Sequence, residues 1–520
     1  MRRSFFRILL PALAMVTVVA CSTDKDAWLN RTFHKLVTRD NGWFNANEKL
    51  KESVAAMQKA YVDDYDQVLP IFVIGSDDQA KALVPDMEKC IEKCALVIDR
   101  NAMEFNGKEK NTWIPDAWLV IGKSHFYKRS YMDAERTFDY IGRRYKGQDQ
   151  QMVAKLWLAR TAIQLEEYAK ARTALDEVKK QRELPKDFPH DQLSAIEAEL
   201  ELHLGKVDDA IISLEHAVDI AERKQDRVRW TFILAQLYQL KGQDDKAIAQ
   251  YNKVTRMAPP YELGFHAQIF QALAFGRGDS KAIRKKLEQM LRDEKNIDHF
   301  DMIHYALADL DLKENQRDAA TAELKKSVRA STTDTRQKAK SFLKLADLYF
   351  NDKKYPSAQS YYDSTSTILA QDNPRYDEVK TRAQVLGDLV VQLNIIARED
   401  SLQAFAKLDP GEQQKRIQDI IKQRERAENA KEEAASNARD IVASNPIAPN
   451  NPGDPSSGGA WYFYNPTQIA RGIADFKKKW GNRPNDDDWR RSDKSGTAAV
   501  DVAEEQETDS VPAAVAKGDA

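Results

Sequence analysis

One short pattern limits what this chain can become. In residues 342–362, Phe342, Leu345, Ala346 and Tyr349 recur at helical spacing. A polar turn follows at Asn351, Asp352, Lys353 and Lys354, and Tyr355, Ala358 and Tyr362 then mark a second helix. Alanines at 346 and 358 let the two helices approach closely while aromatic rings fill the space around them. A single hairpin of this kind cannot bury its own apolar face, so neighbours are required on both sides.

The neighbours can be found by following the second-helix alanine back along the chain. Ala134, Ala171, Ala210, Ala247, Ala282, Ala320 and Ala358 are spaced by 37, 39, 37, 35, 38 and 38 residues. The pattern resembles the tetratricopeptide repeat, whose period is about 34. The first unit (Trp118, Ile121, Gly122, Ala134, Phe138) and the fourth (Thr231, Leu234, Ala235, Tyr238, Ala247, Tyr251) are clear. The second and third are weaker. The fifth is degenerate, with Lys286 after Ala282 where an apolar residue belongs and Leu287 one place late. Gly205, Gly242 and Gly278 fall where the turn inside a repeat needs a positive φ. The expected fold is all-α: a tetratricopeptide-like helical-hairpin solenoid over residues 116–370, with a groove suited to proteins or peptides. An unrelated helical bundle is the competing architecture.

Bulk composition excludes more than it identifies. The 520 residues are 42% hydrophobic and 31% charged, with 79 basic against 81 acidic side chains and a net charge of −2. Nothing there favours nucleic acid. No phosphate-binding glycine loop, nucleophile elbow or His-Glu-x-x-His zinc motif occurs. No catalytic residue, cofactor, metal or small-molecule substrate is expected. Cys90 and Cys94 share a helix face, but no partner ligands stand near them in sequence, so they read as buried structural thiols rather than a metal pair.

Residues 1–20 read as a signal peptide: Arg2, Arg3 and Arg7, then a short apolar run from Ile8 to Ala20. The run ends Val18-Val19-Ala20-Cys21, which resembles a bacterial lipobox, with Cys21 as the lipid-attachment residue. An ordinary signal peptide is the bland alternative. In the N-terminal helical region, residues 21–115, Trp28, Phe33, Leu36 and Val37 suggest a helix broken by Gly42. A second helix is expected over residues 44–61. Residues 62–70 read as an acidic turn closed by Pro70, residues 76–84 as an exposed polar stretch, and Pro85 as the start of a third helix.

Beyond the array, residues 371–444 hold a capping helix (Val385, Leu386, Leu389, Val390, Leu393, Ile396) and a long charged helix that is either solvated or part of a coiled coil. Residues 445–459 are a Pro/Gly linker. Residues 460–491 pack aromatic residues densely, and residues 492–520 are expected to be disordered. The aromatic block fits docking on a partner or on the protein's own repeats. Its candidate binding residues are Trp461, Tyr462, Phe463, Tyr464, Asn465, Phe476, Trp480, Gly481, Arg483, Trp489, Arg490 and Arg491.

Trp461 to Asn465, Gly472, Phe476, Trp480 to Arg483 and Trp489 to Arg491 resemble the C-terminal motif of the PorW/SprE lipoproteins of Bacteroidetes type IX secretion and gliding motility. Asn30-Arg31, Phe33-His34, Trp43 to Ala46, and Asp63 to Tyr65 leading to Leu69-Pro70 agree with that resemblance. It implies a non-catalytic lipoprotein anchored at the periplasmic face of the outer membrane. Its implied partners are periplasmic ring and motor components and the outer-membrane translocon. A general periplasmic scaffold or assembly factor, and a periplasmic enzyme using the groove as a cleft, are the competing readings.

Overall fold

The computed structural model describes residues 23–276 and 280–443, and side chains up to residue 430. Cys21, the signal peptide, the linker, the aromatic block 460–491 and the tail lie outside the described residues. Almost all of what is described is α-helix, joined by short turns. The chain divides into two units, one ending at Gly278 and one starting at Asp279. The fifth alanine mark, Ala282, falls just after that division.

In the first unit, helices α1 (Trp28–Val37), α2 (Phe44–Ala60) and α3 (Asp77–Asn101) precede the array. Four hairpins follow: α4 (Ile114–Tyr127) with α5 (Tyr131–Arg144), α6 (Asp149–Gln164) with α7 (Tyr168–Lys179), α8 (His190–His203) with α9 (Val207–Ile220), and α10 (Lys224–Leu240) with α11 (Asp244–Arg256). Helix α12 (Tyr261–Ala274) closes the unit. Each second helix packs on the first helix of the next hairpin. Ala134, Ala171, Ala210 and Ala247 are completely buried, as the alanine register requires. Gly122 is needed for the same reason: a Cβ there would come within 2.5 Å of the Phe138 ring. Gly205 and Gly242 take the expected positive φ, while Gly278 lies outside the described residues. The other turns achieve the same conformation with Arg129, Glu166, Asn315 and Lys353.

Four local expectations need correction. Gly42 does not break the chain; it sits in a π-helical turn, Thr38–Trp43, between α1 and α2, where its bare Cα packs against Val97. The third helix starts at Asp77, not Pro85. Ser76 and Gln79 form a capping box, and Ala80 and Leu83 are buried, so the helix runs through Pro85. Asn106-Gly107 turns a short β-hairpin, Glu104–Phe105 with Lys108–Glu109, within the N-terminal region expected to be helical. Residues 62–70 hold the expected turn, at Asp64 to Gln67, but belong to a longer strap laid along the repeats, as described below.

Buried polar contacts fix the leading helices. The Asn111 side-chain amide donates to Thr38 Oγ1 at 2.8 Å and to the Asn101 carbonyl at 3.0 Å. Asn101 Oδ1 in turn lies 2.8 Å from His34 Nδ1. Cys90 and Cys94 are fully buried, and the Cys90 thiol donates to the Ala46 carbonyl at 3.3 Å. Burial pushes the Cys94 thiol up to about 12, so it stays protonated and unreactive.

The second unit contains α13 (Lys281–Met290), a 3-10 turn (Glu294–His299), and the hairpins α14 (Phe300–Lys313) with α15 (Arg317–Ala330) and α16 (Thr335–Asn351) with α17 (Tyr355–Ile368). Ala320 and Ala358 are completely buried. Ala282 is exposed, and Leu287 and Met290 carry the burial in α13, so the degenerate mark is a real departure from the repeat. Helix α18 (Tyr376–Ala406) packs against α17 through Val379, Ala383 and Leu386. Asp347 of α16 ties three helices together: it accepts from Tyr362 Oη at 2.6 Å and from both terminal nitrogens of Arg375 at 2.7 and 3.0 Å. Val385, Leu389, Val391, Ile395 and Ile396 of α18 are exposed, on other sides of the helix from the packed Val379, Ala383 and Leu386. Helix α19 (Pro410–Ala443) begins at a proline, a residue suited to the first helical turn.

Candidate protein-interaction groove

The first helices of the hairpins build one face of the first unit, the face that stacked-hairpin arrays use to hold extended ligands. Here it is occupied. Residues 62–75, between α2 and α3, lie along it as a non-helical strap with no strand partner and one turn, where the Gln67 N–H donates to the Asp64 carbonyl at 3.3 Å. Its chemical character explains the position. The chain leaves α2 at Ala60, and the following acidic and aliphatic residues have neither helical periodicity nor a partner strand. They gain burial and hydrogen bonds only by lying on a surface that already exists.

Contacts place the strap residue by residue. Tyr65 stacks on His266 of α12, with ring centroids 3.6 Å apart and planes within 12°. Asp63 receives two bonds from Arg229 of α10, at 2.8 and 2.9 Å. Gln236, two turns further along α10, accepts from the Leu69 backbone N–H at 3.0 Å and donates to the Gln67 carbonyl at 2.9 Å. Arg229 Nε donates to the Pro70 carbonyl and Trp230 Nε1 to the Ile71 carbonyl, at 2.9 and 3.3 Å. Leu69 and Ile71 are almost completely buried, in one core with Ala195, Ala198, Trp230 and Phe232. Each such aliphatic side chain contributes about 1.5–3 kcal/mol when fully buried.

Beyond Ile71 the strap reaches the earlier hairpins. Arg160 of α6 is buried with its guanidinium between rings, 4.2 Å from Phe72, 4.4 Å from Trp157 and 5.2 Å from Phe126. Arg129 then donates to the Gly75 carbonyl at 2.6 Å, at the turn inside the first hairpin. The strap therefore runs from α12 back to the first hairpin, against the direction in which the repeats advance. Opposite charges share the space beside it. Burial pushes the Glu199 carboxyl up to about 7, against the pull of Arg160. Burial likewise raises Asp116 to about 6 and lowers Lys123 to about 8, each opposed by the other's charge.

Among the described residues, no three His, Cys, Asp or Glu side chains form a group able to hold a metal ion. No described helix is long and apolar enough to cross a membrane. The predicted lipid site Cys21 and the twelve candidate partner-binding residues of the aromatic block lie outside the described residues. The strap was missed because each of its partners lies far along the chain. Leu69 and Gln236 are 167 positions apart.

Comparison with known proteins follows the same geometry. Tetratricopeptide-repeat models match residues 119–188 and residues 232–261, which cover the first two hairpins and the fourth. No curated protein matches the chain. Similar solved structures include a tetratricopeptide repeat protein from Parabacteroides merdae, at 11% identity and a TM-score of 0.28, covering 59% of this chain and 96% of that one. The apo form of the quorum sensor NprR from B. thuringiensis is similar at 14% identity and a TM-score of 0.35, over 56% of this chain and 86% of that one. Human IFIT1, in a dimer with PPP-AAAA, is similar at 12% identity and a TM-score of 0.32, over 61% and 71%. The chain has an all-α, tetratricopeptide-like hairpin fold, with tetratricopeptide repeats matched at residues 119–188 and 232–261, and such repeats suggest a scaffold for protein–protein interaction.

Proposed function

We propose that this protein is a non-catalytic lipoprotein adaptor of the type IX secretion machinery, held at the periplasmic face of the outer membrane through Cys21. It would link periplasmic ring and motor components to the outer-membrane translocon. The observation that carries this reading is the C-terminal block, Trp461 to Asn465 with Trp480 to Arg483 and Trp489 to Arg491, and its resemblance to the PorW/SprE lipoproteins. The lipobox-like end of the apolar leader, Val18 to Cys21, supports the anchor, and the repeat array supports protein partners. The array alone equally favours a general periplasmic scaffold or assembly factor for another outer-membrane complex.

Crosslinking in intact cells followed by identification of the captured proteins separates the two readings. Capture of translocon and ring components supports the adaptor, and capture of other barrel clients alone supports the scaffold. Deleting residues 460–491 should leave an anchored, folded protein and stop secretion. Normal secretion in that strain would remove the block from the mechanism. Cys21→Ala should move the protein from the membrane fraction to the soluble periplasm.

A further inference from the structure

The strap is held in the way an extended peptide is held. Four of its polar contacts read main chain rather than side chains: Leu69 N–H and the Gln67, Pro70 and Ile71 carbonyls, all bound by Gln236, Arg229 and Trp230. Contacts of this kind accept many sequences. Selectivity comes from three further positions: a carboxylate on Arg229, a ring on His266, and a ring beneath Arg160. Main-chain hydrogen bonds with side-chain pockets between them are the chemistry of extended-peptide recognition. The strap also keeps an outer side in water: Val62, Asp64, Asp66, Gln67, Val68 and Pro70 are exposed, and only Leu69 and Ile71 are deeply inserted. No strand ladder locks it down.

We propose that the face formed by α6, α8, α10 and α12 is a receptor for an extended protein segment, and that residues 63–72 are its built-in occupant. The partner it fits is an unstructured segment with an acidic residue, an aromatic residue two positions later, and an aliphatic–proline–aliphatic–aromatic end, the spacing of Asp63, Tyr65 and Leu69 to Phe72. Tethering raises the strap's effective concentration to about the millimolar range, so a free segment of equal affinity does not displace it. A partner gains the groove only with a better fit or with a second attachment elsewhere on the protein. This inference rests on the array being a protein-binding scaffold and does not depend on the secretion role.

The test uses a labelled synthetic peptide of residues 60–74 and two versions of the protein, wild type and the double substitution Leu69→Asp with Ile71→Asp. The double variant frees the strap and leaves every groove residue in place. It should bind the peptide at least 30-fold more tightly than wild type, and adding Arg229→Ala with Gln236→Ala should remove at least tenfold of that gain. Equal, negligible binding by wild type and by a folded double variant overturns the proposal. If the double variant loses its helical circular dichroism, hydrogen exchange on wild type decides. An occupant that leaves without global unfolding exposes the Leu69 amide at least 100-fold faster than amides in the middle of α10. Equal protection makes the strap a permanent strut and overturns the proposal. Partners captured by crosslinking in cells alongside a failed peptide test would sink this inference and leave the scaffold reading standing.

Discussion

The two units spend their apolar surface differently. In the first, the face built by first helices is filled by the chain's own strap, and Trp230, Leu69 and Ile71 are sealed beneath it. In the second, helix α18 buries side chains only over its first three turns and leaves Val385, Leu389, Val391, Ile395 and Ile396 exposed. Isolated exposed aliphatics are ordinary, but five within twelve residues of one helix are more than its own packing uses. The contrast shows that repeat identity does not tell which surface is free. In the first unit the face that the repeats advertise is already covered, and in the second a run of exposed aliphatics lies on a helix outside the repeat register.

The most severe way to break the filled groove is Trp230→Ala. It removes a fully buried indole and its bond to the Ile71 carbonyl. Unfolding free energy should fall by about 3–5 kcal/mol, read from denaturant midpoints at constant slope. A loss under 1 kcal/mol would mean the strap does not complete that core.

Acid titration tests the charges beside the strap. The Glu199 carboxyl is raised from 4.5 to about 7 by burial, so the folded state holds its proton more tightly than the unfolded chain does. Its contribution is therefore fully present below about pH 4.5 and is lost as pH rises through 7. Because the side chain keeps part of its surface in water, the loss should be on the order of 2 kcal/mol. The stability difference between wild type and Glu199→Gln, measured from pH 4 to 8, should follow that curve. A flat difference would show that Glu199 is solvated like a surface carboxylate.

A smaller effect is expected at the strap's acidic end. A double-mutant cycle on Asp63→Ala and Arg229→Ala should give a coupling of about 1–2 kcal/mol for this two-pronged, mostly buried pair. Zero coupling would place Asp63 in solvent. The smallest effect belongs to the second unit: Val385→Ser with Leu389→Ser should change stability by less than about 0.5 kcal/mol, since neither side chain is packed. If that pair costs more than 2 kcal/mol, α18 is covered in the folded protein and the contrast between the units disappears.

Much of the fold was legible because sterics demands it. An alanine or glycine is needed where two helices approach closely, so Ala134, Ala171, Ala210, Ala247, Ala320, Ala358 and Gly122 mark the register directly. Turn conformation was legible only at glycine. Arg129, Glu166 and Lys353 adopt the same positive φ at a cost of roughly 1–2 kcal/mol each, with no sequence signal. The start of α3 was misplaced because Pro85 is a loud local signal, whereas Ser76 and Gln79 are the capping pair that sets the boundary. The strap was the least legible part. Its residues look like a turn in isolation, and what makes them a strap is a surface more than 150 residues away.

That separation has a consequence for how the protein comes into being. A chain made from its N-terminus exposes Leu69, Ile71 and Phe72 long before Gln236 exists to receive them. At about 5–20 residues per second, the interval of 167 residues lasts roughly ten to thirty seconds. Throughout it the newborn strap is an adhesive segment without its groove, and the last hairpins to emerge in this unit are the ones that retire it.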